Sequence, residues 1–346
     1  MAPYGRAGAS ARVRVLAWVE RLGLEVVSHD YLGLPHSRPT ALLHDLPGLL
    51  AAERRIRDVA SRSHATLLLH REASPLSRGA IEARLLGNAE HGVYDFDDAL
   101  QWDHGRGMAL RRWAPKSSKC LAAVRAADRV IAGNVVLAEW ASEWARDVVV
   151  VPSCVDPASY PVKTEYGVHD PPRLGWIGSP TTERYLLAIA PSLLEVHRRT
   201  GARLTVISSG TASLGALTDM VDRVTWTESQ VGTAMTQWDV ALAPLADDLM
   251  ARGKCAYKLL QYGAVGLPVV GSPVGVNRQV LDAFGGLAVD GVRPWTDALL
   301  SLLAASASEL RHRGRTARDA VTKDYSYDAW ASAWLAALEL QPSTAP

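Results

Sequence analysis

The chain has 346 residues, 48% of them hydrophobic and 21% charged, with a formal net charge of +1. That length exceeds one ordinary core and suits two domains. The composition excludes a disordered or membrane-embedded chain, and the near-neutral balance excludes a global pull toward nucleic acid or an anionic bilayer.

The chain opens MAPYGRAGASARVRV. Gly5 and Gly8 form a turn into a helix beginning near Ser10, followed by a strand over Leu24–Ser28. A parallel α/β domain places a strand before such a turn. Met1–Pro3 alone is available for it, so the first strand is expected to be short or absent. Strands follow at ATLLLH (65–70), GVYDF (92–96), DRVIAG (128–133) and DVVVVPS (147–153), with helical patterns between them. Short apolar runs without polar alternation argue for a parallel sheet covered on both faces.

Residues 155–172 carry Pro157, Pro161, Pro171 and Pro172 and read as a linker. A second cycle begins there, with strands in RLGWIGS (173–179), RLTVISSG (203–210), DRVTWTE (222–228), DVALAPL (239–245) and PVVGSP (268–273). Helices are expected over 182–199 and 255–265. The tail SYDAWASAWLAALEL (326–340) reads as a last helix with Trp330 and Trp334 on one face. The expected fold class is α/β, with two Rossmann-like domains facing a cleft. Its bounds are 1–154, linker 155–172, 173–320, and a C-terminal helical segment 321–346 packing back on the first domain.

Cys120, Cys154 and Cys255 are odd in number and lack metal-ligand spacing, so they read as small buried hydrophobes in a reducing compartment. No metal site is expected. A signal-peptide pattern and a membrane-length apolar run are both absent from the sequence, and a cytoplasmic location is expected.

Three stretches carry candidate chemistry. In RGKCAYKLLQYGAVGLPVVGSPVGVN (252–277), Lys254 and Lys258 are spaced i, i+4, with Arg252 just before them. On one helix face starting near Cys255 they would oppose the macrodipole unless an anion lay between them. A diphosphate suits such a grip, and no GxxxxGK[ST] element makes it a P-loop. WIGSPTT (176–182) runs from a strand into Gly178, Ser179 and Thr181, a second candidate phosphate turn or a bare helix cap. VYDFDDALQW (93–102) sets Asp95, Asp97 and Asp98 at a strand end, where like charges need partners or act on a ligand. His70, with Arg71 and Glu72 beside it, is an alternative polar group of the first domain but reads rather as a structurally satisfied histidine, and Asn134 as a strand-end cap. The basic run 105–119, with Arg106, Arg111, Arg112, Lys116 and Lys119, lacks the apolar face of a membrane helix and reads as a solvated loop over the cleft.

Together GRAGASARVRV, VYDFDDALQW, VIAGNVVLAEWA (130–141), VVPSCVDPASY (150–160), LGWIGSP, DVALAPLADD (239–248) and the 252–277 stretch resemble the GT-B-fold, retaining glycosyltransferases of the large family 4 type, in a bacterial branch with a YDFDDA-type motif. The resemblance implies an enzyme moving a sugar from a nucleotide diphosphate sugar to a small-molecule or glycan acceptor, in polysaccharide or natural-product biosynthesis. The second domain would hold the donor and the first the acceptor.

By the same resemblance Lys258, with Arg252 or Lys254, would neutralise the leaving diphosphate. Gln261 stands where a glutamate commonly meets the ribose, and Gly253 where a second glutamate meets the sugar, a role left open to Asp247 or Asp248. Gly178, Ser179, Thr181 and Gly275 would line the phosphates, and Gly8 and Arg12 the facing loop. Asp97 falls at the position of a histidine near the donor sugar, with Asp98 next to it. The implied catalytic set is Asp97, Lys258 and Asp98, with no metal and no further cofactor. Rival readings are a sugar-nucleotide 2-epimerase and a catalytically degenerate partner subunit. No nucleic-acid partner is expected, membrane contact is disfavoured, and the chain is expected as a monomer or homodimer.

Overall fold

The computed structural model describes residues 1–2, 4–31, 45–105, 109–227 and 230–341. Of the positions singled out above, Pro3, Arg106, Gly107, Glu228 and 342–346 lie outside these, as does the side chain of Arg111. The chain forms two compact units. The first comprises Met1–Cys154, Arg252–Cys255 and the tail from Trp330; the second comprises Val155–Ala251 and Ala256–Ala329.

The first unit holds β1 (His64–His70), β2 (Ala89–Phe96), β3 (Arg129–Ala132) and β4 (Val148–Val150), all parallel and in that order. Helices Ala80–Gly87, Lys116–Ala126 and Val135–Ser142 make the crossovers that parallel pairing requires. Leu67, Leu69, Tyr94, Phe96, Val130 and Ala132 fill the core beneath them. The register sets His70 beside Asp95 on neighbouring strands.

The strand expected over Leu24–Ser28 does not form. Val26 and Val27 stay 53% and 83% exposed, so the apolar pair has no buried face to reward pairing. The edge of β1 meets Met1 instead, whose carbonyl accepts from the His70 N–H at 2.9 Å. The tail helix, Tyr327–Ala337, buries Trp334 against Trp18 in a stack with centroids 5.3 Å apart.

The second unit is a six-stranded parallel sheet made of β5 (Arg173–Ile177), β6 (Arg203–Ile207), β7 (Val221–Val224), β8 (Val240–Ala243), β9 (Val269–Gly271) and β10 (Leu287–Ala288). Their order is β10-β9-β8-β5-β6-β7. The first three strands run outward from β5 and the last three run the other way from β8. That is the doubly wound Rossmann order, with its switch point between β5 and β8.

The single helix expected over 182–199 is two, Arg184–Ala188 and Ala190–Thr200, because Pro191 lacks the N–H and its ring crowds the preceding turn. The helix expected from Cys255 begins at Tyr257, since Ala256 sits in the left-handed region at φ 52°. No described helix is long and apolar enough to cross a membrane.

Candidate functional site

In the second unit the chain leaves β5 directly at the switch point, where a doubly wound sheet leaves a crevice for ligands. Gly178 follows the strand, Ser179 stands before the short 3-10 turn Pro180–Thr182, and the hydroxyls of Ser179 and Thr181 lie 3.0 Å apart. Lys258, in the first turn of helix Tyr257–Val265, reaches this turn. Its ammonium lies 3.3 Å from Thr182 Oγ1 and 4.4 Å from the centroid of the Trp176 ring.

Gly178 has a structural reason to be glycine. A Cβ there would stand 2.4 Å from the Trp176 ring and 2.8 Å from Lys258 Nζ, and its N–H donates to the Ile207 carbonyl at 3.0 Å. That N–H is therefore spent inside the sheet, which leaves the hydroxyls of Ser179, Thr181 and Thr182, with Lys258, as the groups of this turn suited to an anion. Gln261 is buried, and its amide donates to the Tyr160 hydroxyl at 3.1 Å. Gly275 lies at φ 54° in the turn between β9 and helix Asn277–Ala283. Asp248 accepts from the Ala251 N–H at 2.7 Å and caps helix Leu249–Arg252. Asp247 is exposed.

The face shared by Lys254 and Lys258 does not exist as read from the sequence. The left-handed Ala256 breaks the helical spacing, and Arg252 closes a separate short helix. Lys254 belongs to the first unit, where its ammonium lies 3.8 Å from Asp98. Gly253 is glycine for a packing reason as well. A Cβ would meet Ala99 Cβ at 2.7 Å and the Ala99 backbone at 3.0 and 3.1 Å, so a glutamate cannot occupy this place without moving main chain.

The second cluster lies wholly in the first unit, at the carboxyl ends of β1 and β2. Arg14 and Ser10, one helical turn apart, face it from above. Arg14 Nε donates to Asp95 Oδ1 at 3.2 Å, its NH2 forms a close ion pair with Asp95 Oδ2, and its NH1 reaches the Val151 carbonyl at 2.7 Å. His70 Nδ1 lies 2.6 Å from Asp95 Oδ1. Ser10 Oγ lies 2.7 Å from His70 Nε2 and 2.6 Å from Asp97 Oδ2. Arg71, at φ 63°, donates to Asp97 Oδ1 at 2.7 Å and lies 3.8 Å from Asp98.

These contacts set the ionisation. Burial works against a charge on Asp97, but Arg71 and then His70 outweigh it and hold its pKa well below the usual carboxylate range. For Asp95, burial is likewise overcome by Arg14 and then His70. The Cys255 thiol, donating to the Asp97 carbonyl at 3.3 Å, is pushed up to about 12 by burial and by Asp97. Asn134 caps helix Val135–Ser142 and donates to the carbonyls of Gly253 at 3.0 Å and Lys254 at 3.2 Å.

Of the other sequence-derived positions, Gly8 opens the first helical turn, and Arg12 donates to the Arg6 carbonyl at 2.8 Å. Lys119 is buried in helix Lys116–Ala126, 2.7 Å from Glu72, so that end of the basic run is ordered core rather than a solvated loop. Sequence reasoning noted Arg71 only as a neighbour of His70 and did not pick out Arg14, Trp176 and Tyr160. The i, i+4 spacing of Ser10 and Arg14 was the one available signal. Among the described residues no group of histidine, cysteine and carboxylate side chains could hold a metal ion.

Two Rossmann-like domains of this kind define the GT-B fold, which solved structures share across most of the chain. Sucrose-phosphate synthase from Thermosynechococcus elongatus is similar at 16% identity and a TM-score of 0.60, covering 90% of this chain and 84% of its own. The UDP-forming α,α-trehalose-phosphate synthase from Burkholderia vietnamiensis is similar at 13% identity and a TM-score of 0.59, covering 96% of this chain and 83% of its own. The pneumococcal O-GlcNAc transferase GtfA, solved with UDP and GlcNAc, is similar at 14% identity and a TM-score of 0.60; the chain covers 59% of that protein's length. Residues 171–305 match the family model described as Glycosyl transferases group 1. No curated protein sequence matches the chain significantly.

Proposed function

We propose that the protein is a glycosyltransferase that moves a sugar from a nucleotide diphosphate sugar to an acceptor with retention at the anomeric carbon. One observation carries the reading. The turn after β5, with Lys258 against it, lies at the switch point of a Rossmann-ordered sheet, inside the segment that matches the glycosyltransferase family model. Two of the similar structures are named for forming UDP or were solved with it, so UDP is the first nucleotide to test.

Catalysis in this reading needs charge stabilisation more than covalent chemistry. Lys258 exchanges its indole and hydroxyl contacts for the departing diphosphate, with the hydroxyls of Ser179, Thr181 and Thr182 completing the grip. Gln261, as a neutral partner, serves the ribose. Asp97, held ionised, lends negative charge to the oxocarbenium-like sugar, and Asp98 holds Lys254 beside it. The diphosphate itself takes the acceptor proton. The bacterial family 4 branch, the first domain as acceptor domain, and a cytoplasmic location are parts of the same proposal.

The test is to incubate the protein with UDP-glucose and UDP-GlcNAc, with and without simple sugar-phosphate and glycan acceptors, and to follow phosphorus and anomeric proton spectra. Release of UDP with a product of unchanged anomeric configuration is expected. An altered sugar on intact donor would assign an epimerase instead. Tight nucleotide binding without turnover of any donor would assign a non-catalytic subunit.

A further inference from the structure

Ser10, His70 and Asp95 have the connectivity of a hydrolase triad, with hydroxyl to imidazole at 2.7 Å and imidazole to carboxylate at 2.6 Å. A proton inventory shows that they are something else. Asp95 is clamped by Arg14, and Asp97 is held by Arg71, so both are carboxylates that accept and cannot donate. The His70 Nδ1 facing Asp95 must therefore carry a proton. Ser10 has a single hydroxyl proton, and Asp97 Oδ2 at 2.6 Å requires it. With that proton spent, the 2.7 Å contact between Ser10 Oγ and His70 Nε2 is a hydrogen bond only if Nε2 donates. The alternative sets the hydroxyl lone pairs against a carboxylate oxygen inside the protein, which is repulsive.

We propose that His70 is a positioning residue for Asp97, held as a doubly protonated imidazolium and acting through Ser10. The two carboxylates nearest the ring favour this state, although Arg14 and Arg71 already offset their charge. Asp95 Oδ1 faces one ring nitrogen and Asp97 Oδ1 lies 4.0 Å from the other, while Arg14 binds both oxygens of Asp95 and Arg71 donates to Oδ1 of Asp97. The imidazolium donates to Ser10, Ser10 donates to Asp97, and Arg71 donates to its other oxygen. Each Asp97 oxygen keeps a second lone pair for a ligand hydroxyl. The network fixes Asp97 as a permanent negative charge. It also bars His70 from the base role that its triad-like connectivity suggests. The bearing on catalysis rests on the reading of Asp97 as the carboxylate that faces the sugar; the proton inventory does not.

Nitrogen-15 labelling of the histidines decides the inventory on the unmodified chain at neutral pH. The His70 ring is assigned by the signals that move in Ser10→Ala and vanish in His70→Gln. Two protonated ring nitrogens are expected. A bare Nε2 would overturn the proposal. The positioning role is read from donor turnover. Removing one hydrogen bond to a charged group in Ser10→Ala should lower kcat about tenfold with KM for the donor held within about twofold, and Ser10→Thr should restore it. Wild-type kcat in Ser10→Ala would overturn that role. Should the protein turn over no donor at all, the proposed function falls, while the ring-nitrogen signature still decides the inference.

Discussion

The two clusters handle charge in opposite ways. In the first unit, three carboxylates at the end of β2 are held by Arg14, by His70 and Arg71 at the end of β1, and by Lys254. In the second, Lys258 lies over the face of an indole and 3.3 Å from the Thr182 hydroxyl, beside the turn at the switch point of its sheet. A network of buried ion pairs is costly to disturb and so fixes geometry. A cation beside hydroxyls at the end of a strand suits an anionic ligand and so serves binding. The first cluster holds its shape; the second is poised for a ligand.

Substitutions should separate the two. Arg14→Met leaves Asp95 buried without its main partner and should destabilise the chain by about 3–5 kcal/mol in chemical denaturation. A loss under about 1 kcal/mol would mean that the first cluster is not the structural anchor described, since that is the level of an exposed pair. Gly253→Ala and Gly178→Ala force a methyl against Ala99 and against the Trp176 ring, and each should cost roughly 1–3 kcal/mol. Gly178→Ala should in addition displace Lys258 and weaken nucleotide binding, whereas Gly253→Ala should leave binding intact.

The pH response sharpens the same contrast. The pKa values of Asp95 and Asp97 lie below the ordinary 3.8, so their stabilisation is complete above that value and is withdrawn as pH falls beneath it. Arg71→Met removes the largest force lowering Asp97 and should move acid unfolding to higher pH, read by near-ultraviolet circular dichroism. The smallest effect expected is on Cys255. With its thiol pushed up to about 12, it should resist alkylation at neutral pH in the folded chain and react once unfolded.

Much of this architecture was legible in the sequence, for physical reasons. Runs such as GVYDF and VALA bury both faces and announce parallel strands, and the strand-end placement of Asp97 followed from them. The misread parts share a cause. Ala256 adopts φ 52° without a glycine to signal it, and that one residue separates Lys254 from Lys258. Val26 and Val27 look like a strand, yet only tertiary burial could have made them one. Pro191 was visible and should have divided the helix over 182–199. The partners of Asp97 come from positions 10 and 71, and no local pattern ties them to position 97.

The most direct measurement is a calorimetric titration of UDP into the wild-type chain and into Lys258→Ala. Saturable binding to the wild type, weakened roughly ten- to a hundredfold in the variant with its stability changed by less than about 1 kcal/mol, is the result this account predicts. Equal affinity in the two proteins, or no binding of UDP or of any other nucleoside diphosphate to the wild type, would contradict it.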